Sequence, residues 1–250
     1  MDENVLSGIE QDALGEVMNI SMGSAATAAS ELLSAKVWIT TPKVRQTFIR
    51  DIQTEKLEPA VCVKIEYIKG LSGSNLMVLK QDDVQLILNQ LMGMPLVVTP
   101  DFEFDELNIS AVSEVMNQMM GASATALSDF LGVTVDISTP TPYIMDKVSI
   151  VELQNFDPDD EVVTIDFDLT IDGVIKSEFE SVMSVELAKY ISGRVIGKTE
   201  ESAEAEAPAQ AAPAADAPAP AQQSAPQPQQ MPQGMPQMPQ GMPMPQMPQG

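Results

Sequence analysis

The sequence predicts an α+β fold built as a duplicated domain, two pseudo-twofold-related halves with helices packed on a largely antiparallel sheet. Three observations predict it. Residues 12–42 (DALGEVMNISMGSAATAASELLSAKVWITTP) and 110–140 (SAVSEVMNQMMGASATALSDFLGVTVDISTP) align without a gap, about half of their positions being identical, and such a repeat implies two similar substructures packed together. Each copy begins in a stretch of helical periodicity and runs into several short alternating or apolar segments, as strands do. Those segments are joined mostly by short turns, which favour antiparallel pairing beneath a layer of helices.

The elements follow in order. Leu6–Leu33 has a helical pattern, with Ser7 and Glu10 spaced as a capping box. Asp12, Glu16, Asn19 and Gly23 form one stripe of that helix, and Ala13, Met18, Ile20 and Met22 lie on its other faces. Lys36–Thr41 is β-like and is expected to stop at Pro42. Arg45–Gln53, Ala60–Ile68 and Asn75–Leu79 read as strands, with a turn at Gly70–Gly73. Asp82–Met92 reads as a helix ended by Gly93 and Pro95. The second half repeats the order. Asp105–Leu131 is helical with the stripe Ser110, Glu114, Asn117 and Gly121, and Val133–Ser138 is a strand ending before Pro140. Tyr143–Leu153 is expected to be extended. Glu161–Ile171 and Ile175–Met183 form a hairpin about Asp172-Gly173, and a short helix starts at Val185.

The predicted domain covers residues 1–198, with halves at about 7–95 and 105–197. Residues 199–250 are rich in Pro, Ala, Gln and Met and read as a disordered linker or tail, because proline prevents regular hydrogen-bonded structure and the apolar residues are isolated methionines.

Composition excludes several classes of function. The net charge is −23, and 31 acids face 13 bases before residue 199. That balance argues against nucleic acid or an anionic membrane surface and suits a soluble protein that meets basic patches on others. There is no histidine, so Ser-His-Asp, Cys-His and histidine–metal chemistry are excluded. The single cysteine, Cys62, lies in the apolar run AVCVKI and reads as a buried hydrophobe. The N-terminus lacks the basic and apolar regions of a signal peptide, and no run of about 18 apolar residues suggests a membrane span, so the expected compartment is the cytoplasm. No Gly-rich phosphate-cradling motif appears, and the methionines at 18, 22, 116, 119 and 120 are expected in the core or at an interface.

What remains is a polar set kept in both copies. Glu16 and Asn19 project from neighbouring positions of one helix face, and Glu114 and Asn117 repeat them. Asparagine is a poor helix former, so its recurrence at an interior helix position points to a reason beyond propensity. Gly23 and Gly121 follow one turn later and suggest close approach of another backbone. A carboxylate can pair with a cation on a partner, and an amide can hold a water through one donor and one acceptor. Holding a water is enough where the bond to be broken is already labile, as in phosphoryl transfer.

These residues resemble the signature of the CheC/CheX/FliY phosphatases of bacterial chemotaxis, an Asp or Ser, then Glu and Asn at helical spacing, then a distant Pro. Asp12, Glu16, Asn19 and Pro42 satisfy it once, and Ser110, Glu114, Asn117 and Pro140 a second time. The segments NISMGSAATA and ELNISAVSEVMNQMMG are most similar to the FliY branch, the flagellar motor switch phosphatases, and the resemblance covers about residues 7–195. It implies hydrolysis of the aspartyl-phosphate of the response regulator CheY. Asn19 and Asn117 would be the catalytic water-positioning residues, and Glu16 and Glu114 would pair with a lysine of the regulator. Asp12, Pro42, Ser110 and Pro140 would support the motif. No cofactor or metal of its own is implied, Mg2+ being expected on the phosphorylated partner. FliY members usually begin with a FliM-like CheY-binding peptide, whereas here the first helix starts almost at once. They also end in a FliN-like domain, and the Pro/Met/Gln tail is similar to the linker that leads to it. With such a domain the partners would include FliM, FliG and FliN-like switch proteins, peripheral to the flagellar basal body. The alternative reading is a non-catalytic motor-switch or CheD-binding adaptor.

Overall fold

The computed structural model describes residues 5–206 apart from Asp101 and Asn155, which places most of the expected tail outside the described residues. The described residues belong to one compact unit.

The first helix, α1 (Gly8–Leu33), starts at the expected capping box. The Ser7 amide donates to Glu10 Oε2 at 2.7 Å, and the Glu10 amide donates to Ser7 Oγ at 3.3 Å. Its counterpart α3 (Glu106–Leu131) starts at Asp105, whose carboxylate accepts from the Asn108 amide at 2.8 Å. Both helices end in left-handed residues, Ser34 and Gly132. The chain is tied back identically in each copy. Ser30 Oγ accepts from the Val37 amide at 2.9 Å, and Ser128 Oγ accepts from the Val135 amide at 2.8 Å.

Between and after these helices run β1 (Val37–Phe48), β2 (Ala60–Lys69), β3 (Gly73–Lys80), α2 (Gln81–Leu91), β4 (Asp136–Ile137), β5 (Thr141–Met145), α4 (Ile150–Gln154), β6 (Glu161–Ile171), β7 (Ile175–Ser184) and α5 (Val185–Glu206). The sheet runs β1-β6-β7-β3-β2-β4, with β5 also on β2, and every pairing is antiparallel. Exchanging the halves reverses this order and leaves it otherwise unchanged, which is the expected pseudo-twofold. Each half contributes one hairpin, β2-β3 or β6-β7, and the hairpins meet at β3 and β7 with Met77 opposite Ser181. Beside that seam the buried Ser181 Oγ donates to Asn75 Oδ1 at 2.6 Å. The outer strands are exchanged: β1 of the first half pairs with β6 of the second, and β4 and β5 of the second pair with β2 of the first.

The main core lies between the sheet and the helices. Leu14, Val17, Met18 and Met22 of α1 meet Val115, Met116, Met119 and Met120 of α3 over Val63, Ile65, Met77, Ile165 and Phe167. The methionines therefore serve as packing residues. Cys62, Leu76, Val78, Val162 and Val182 face the other way, under Leu57, Ile49 and Ile150 of short helical turns. The inner strands are thus buried on both faces.

Several expectations are corrected. Pro42 does not end the strand: β1 continues to Phe48, with a register shift between Thr40 and Lys43. An edge strand can absorb a proline as a bulge because one row of its backbone groups is already unpaired. In the second copy the break falls between β4 and β5, which brackets Pro140. The 45–53 strand gives way to a 3-10 turn at Ile49–Asp51, and the expected extended segment Tyr143–Leu153 is split into β5 and the short helix α4. α5 runs to Glu206, through the stretch expected to open the linker, because Glu and Ala dominate there and the first proline comes only at Pro208. A Cβ on Gly23 or Gly121 would meet nothing within 4 Å, so neither marks a close approach.

The close approach is at Gly70. Its φ is +79°, and a Cβ there would lie 2.1 Å from the Thr134 carbonyl oxygen of the other half. Gly70→Ala is expected to cost roughly 2–4 kcal/mol in urea unfolding, the scale of a strained backbone combined with a clash. An unchanged midpoint and slope would show that this contact between the halves is loose.

Candidate functional site

Because Leu14, Val17, Met18 and Met22 turn into the core, the stripe one turn-face away must point outward. Asp12, Glu16 and Asn19 are accordingly exposed. The α1 stripe and the bulged part of β1 enclose an open groove of about 340 Å3, lined by Asp12, Gly15, Glu16, Asn19, Pro42 and Val44. The four residues of the first motif copy therefore stand around one groove. Among the described residues Glu16 makes no hydrogen bond or ion pair, and its carboxylate is free for an incoming cation.

The second copy holds the same frame with different details. Val112, Val115, Met116 and Met120 are buried at the positions equivalent to the α1 core residues, so Ser110, Glu114 and Asn117 are exposed. Gly15 is replaced by Ser113, whose Oγ donates to the Pro140 carbonyl at 3.0 Å and ties the helix to the strand break. Ile20 is replaced by Gln118, whose Nε2 donates to Glu114 Oε1 at 2.7 Å. Pro140 is buried, whereas Pro42 is half-buried. The second carboxylate is thus already engaged, and its surroundings are tighter. Sequence reasoning passed over Ser113 and Gln118 because it looked for what the copies share; both stand among the positions where the copies differ.

The grooves flanking the two motifs have also diverged. Beside the first, Arg45, Thr47, Asp51, Gln53, Thr164 and Glu180 line a polar cavity of about 440 Å3. The equivalent strand in the second half contributes Tyr143 and Ile144 to a groove of about 640 Å3 shared with Phe102 and Phe104, whose rings meet edge to face at 5.0 Å.

Residues 9–45 and 107–144 match the CheC-like family, so the match covers both copies of the motif. The crystal structure of Thermotoga maritima FliY superposes with a TM-score of 0.70 at 37% identity, covering 78% of this chain and 99% of that one. This chain belongs to the CheC-like family. Flagellar motor switch phosphatase FliY of Bacillus subtilis is 39% identical over 204 residues, 80% of this chain and 52% of that protein. CheY-P phosphatase CheC of the same organism is 25% identical over 148 residues, 55% of this chain and 68% of that protein. The chain therefore spans about half the length of the FliY relative. Among the described residues no helix is long and apolar enough to cross a membrane.

Cys62 offers no rival chemistry. It is buried in β2, and burial, with a smaller contribution from the Glu58 charge, pushes its thiol up to about 12. A disulfide-type thiol reagent is expected to leave the folded protein unlabelled at neutral pH and to label it stoichiometrically after denaturation. Rapid labelling of the native protein would show that the strand opens.

Proposed function

We propose that this chain hydrolyses the aspartyl-phosphate of the response regulator CheY at the flagellar motor switch, using a water held by Asn19 at one site and by Asn117 at the other. The observation that carries this reading is the paired presentation of Glu and Asn, exposed on equivalent helix faces beside a proline break. The relatives named as phosphatases support it.

An acyl phosphate is already labile, so its hydrolysis needs a water placed in line with phosphorus more than it needs a strong base. The Asn side-chain oxygen accepts a hydrogen bond from the water, and its amide N–H donates to a phosphoryl oxygen or to the water itself. The water oxygen bonds to phosphorus as the bond from phosphorus to the aspartate oxygen breaks. The aspartate leaves as carboxylate, and the water proton passes to the phosphate or to solvent. Glu16 and Glu114 hold the regulator by pairing with one of its lysines, and Asp12, Pro42, Ser110 and Pro140 support the two motif copies. Mg2+ in this scheme belongs to the phosphorylated regulator. Switch proteins such as FliM, FliG and FliN-like domains are the proposed neighbours on the cytoplasmic face of the membrane, with CheD as a further partner.

The test is the decay of phosphorylated CheY. Asn19→Ala and Asn117→Ala should each leave the share carried by the other site. The double variant should fall by at least ~10^2-fold, the scale on which loss of one positioned polar group is felt in a hydrolytic site. A double variant as fast as the parent would assign this surface to an adaptor role.

Gln118 generates a second expectation. In an Asn19→Ala background, Gln118→Ala frees Glu114 and should lower KM for phosphorylated CheY about two- to tenfold with kcat unchanged, the scale of one charge-assisted hydrogen bond. An unchanged KM would show that this bond does not compete with the partner.

A further inference from the structure

The polar cavity beside the first groove contains a buried carboxyl that the phosphatase scheme does not use. Glu180 of β7 stands directly opposite Asp166 of β6 in the antiparallel ladder. Like charges so placed repel, and the cost grows with burial. Glu180 is 2% exposed and Thr164 only 1%. Arg45 reaches across from the edge strand to Asp166 Oδ2 at 2.8 Å and to Glu180 Oε1 at 3.7 Å. Its guanidinium therefore takes one oxygen of each acid. Glu180 Oε2, Asp166 Oδ1 and Thr164 Oγ are buried without a partner of hydrogen-bonding geometry. The Thr164 hydroxyl lies near enough to the Glu180 carboxyl to favour its charged form slightly. Both Glu180 and Thr164 line the cavity of about 440 Å3.

We propose that this cavity binds an organic cation bearing N–H donors, a guanidinium or primary ammonium group, on Glu180 Oε2 and Thr164 Oγ. An ionised Glu180 Oε2 can only accept, and Thr164 Oγ keeps acceptor lone pairs whichever way its hydroxyl turns, so a donating ligand suits both. Asp51 adds a further acid to the lining, while the nearby Lys56 is already paired with Glu178 at 3.3 Å, so an anion would be repelled. Among the described residues no group of three or more metal-ligating side chains converges, which disfavours a divalent metal against an N–H donor. The volume suits the end of one basic side chain or a small free amine. The two sources share this chemistry.

Occupancy should compete with a proton. Burial is the main cause holding the Glu180 acid up at about 7, the Asp166 charge adds to it, and Arg45 and Lys56 oppose it. In the empty protein the carboxyl keeps its proton through the ordinary carboxylate range and up to about pH 7. As pH rises from that range through about 7, ionisation is disfavoured in the fold relative to the unfolded chain, and stability falls. A bound cation reverses that penalty above neutrality.

The experiment is thermal melting of the whole chain with millimolar methylguanidinium at constant ionic strength, at about pH 8 and about pH 6. A saturable rise in Tm is expected at the higher pH and a weaker one at the lower. Glu180→Gln should weaken the apparent affinity at least ~10-fold, a loss of about 1.4 kcal/mol. Without ligand, the same variant should lose the fall in stability between the two pH values, which also shows that it folds. Should it fail to fold, Thr164→Val supplies the comparison. Tetramethylammonium, which has no N–H, should give no rise. If the tripeptide Gly-Arg-Gly binds as tightly as methylguanidinium, the ligand is a basic side chain of a partner; if only the free cation binds, it is a small amine. Equal rises with tetramethylammonium, rises unaffected by both substitutions, or a response to magnesium chloride alone would overturn the proposal.

Discussion

β1 completes its ladder on β6 of the other half, and β4 and β5 complete theirs on β2, so neither hairpin has a full sheet without the opposite half. Unpaired strand edges are costly when buried and prone to association when exposed. Exchanging the outer strands locks two copies of one unit into a single sheet with a single core. The duplication is therefore structural before it is functional. α1 and α3 must lie side by side over the β3–β7 seam, and their buried faces are fixed by the same spacing of Leu, Val and Met.

The two candidate sites follow from that packing. Once Leu14, Val17, Met18 and Met22 are buried, Glu16 and Asn19 have only solvent to face, and the same holds for Glu114 and Asn117. The proline then sets the other wall. It opens the ladder of an edge strand where the strand passes the helix, as a bulge in one copy and as a gap between two strands in the other. The shared frame leaves small substitutions to differentiate the copies. Where the first copy has an open groove and a free carboxylate, Ser113 ties the second helix to Pro140 and Gln118 holds Glu114.

The opposite face of the sheet carries the least comfortable arrangement in the fold. A carboxyl buried across from another carboxyl, with only one guanidinium between them, costs stability that the hydrophobic layers on either side must offset. The guanidinium belongs to Arg45 of β1, the strand that also carries Pro42 and Val44 of the first groove. The equivalent strand of the second half instead sets Tyr143 and Ile144 beside Phe102 and Phe104, so duplication has left two different flanking surfaces.

Much of this was legible in the chain. The helices α1 and α3, the hairpin turns at Gly70–Gly73 and Asp172-Gly173, the buried cysteine and the Glu–Asn–Pro sets all rest on local spacing, which a sequence displays directly. Local signals mislead where they meet a long-range partner. Pro42 looks like a strand end because proline removes a donor, yet an edge strand has a donor to spare. Gly23 and Gly121 look like packing notches, yet the true close approach is Gly70 against Thr134, residues from different halves. The acids of β6 and β7 look like the polar side of alternating strands, and only their pairing makes Asp166 and Glu180 neighbours. The sequence by itself determined two equivalent helices, each with an outward Glu and Asn, because helical periodicity is a property of the local chain. The tertiary structure alone decided which strands exchange, which residues wall each groove and where charge is buried, because strand partners are chosen by contacts between residues far apart in sequence.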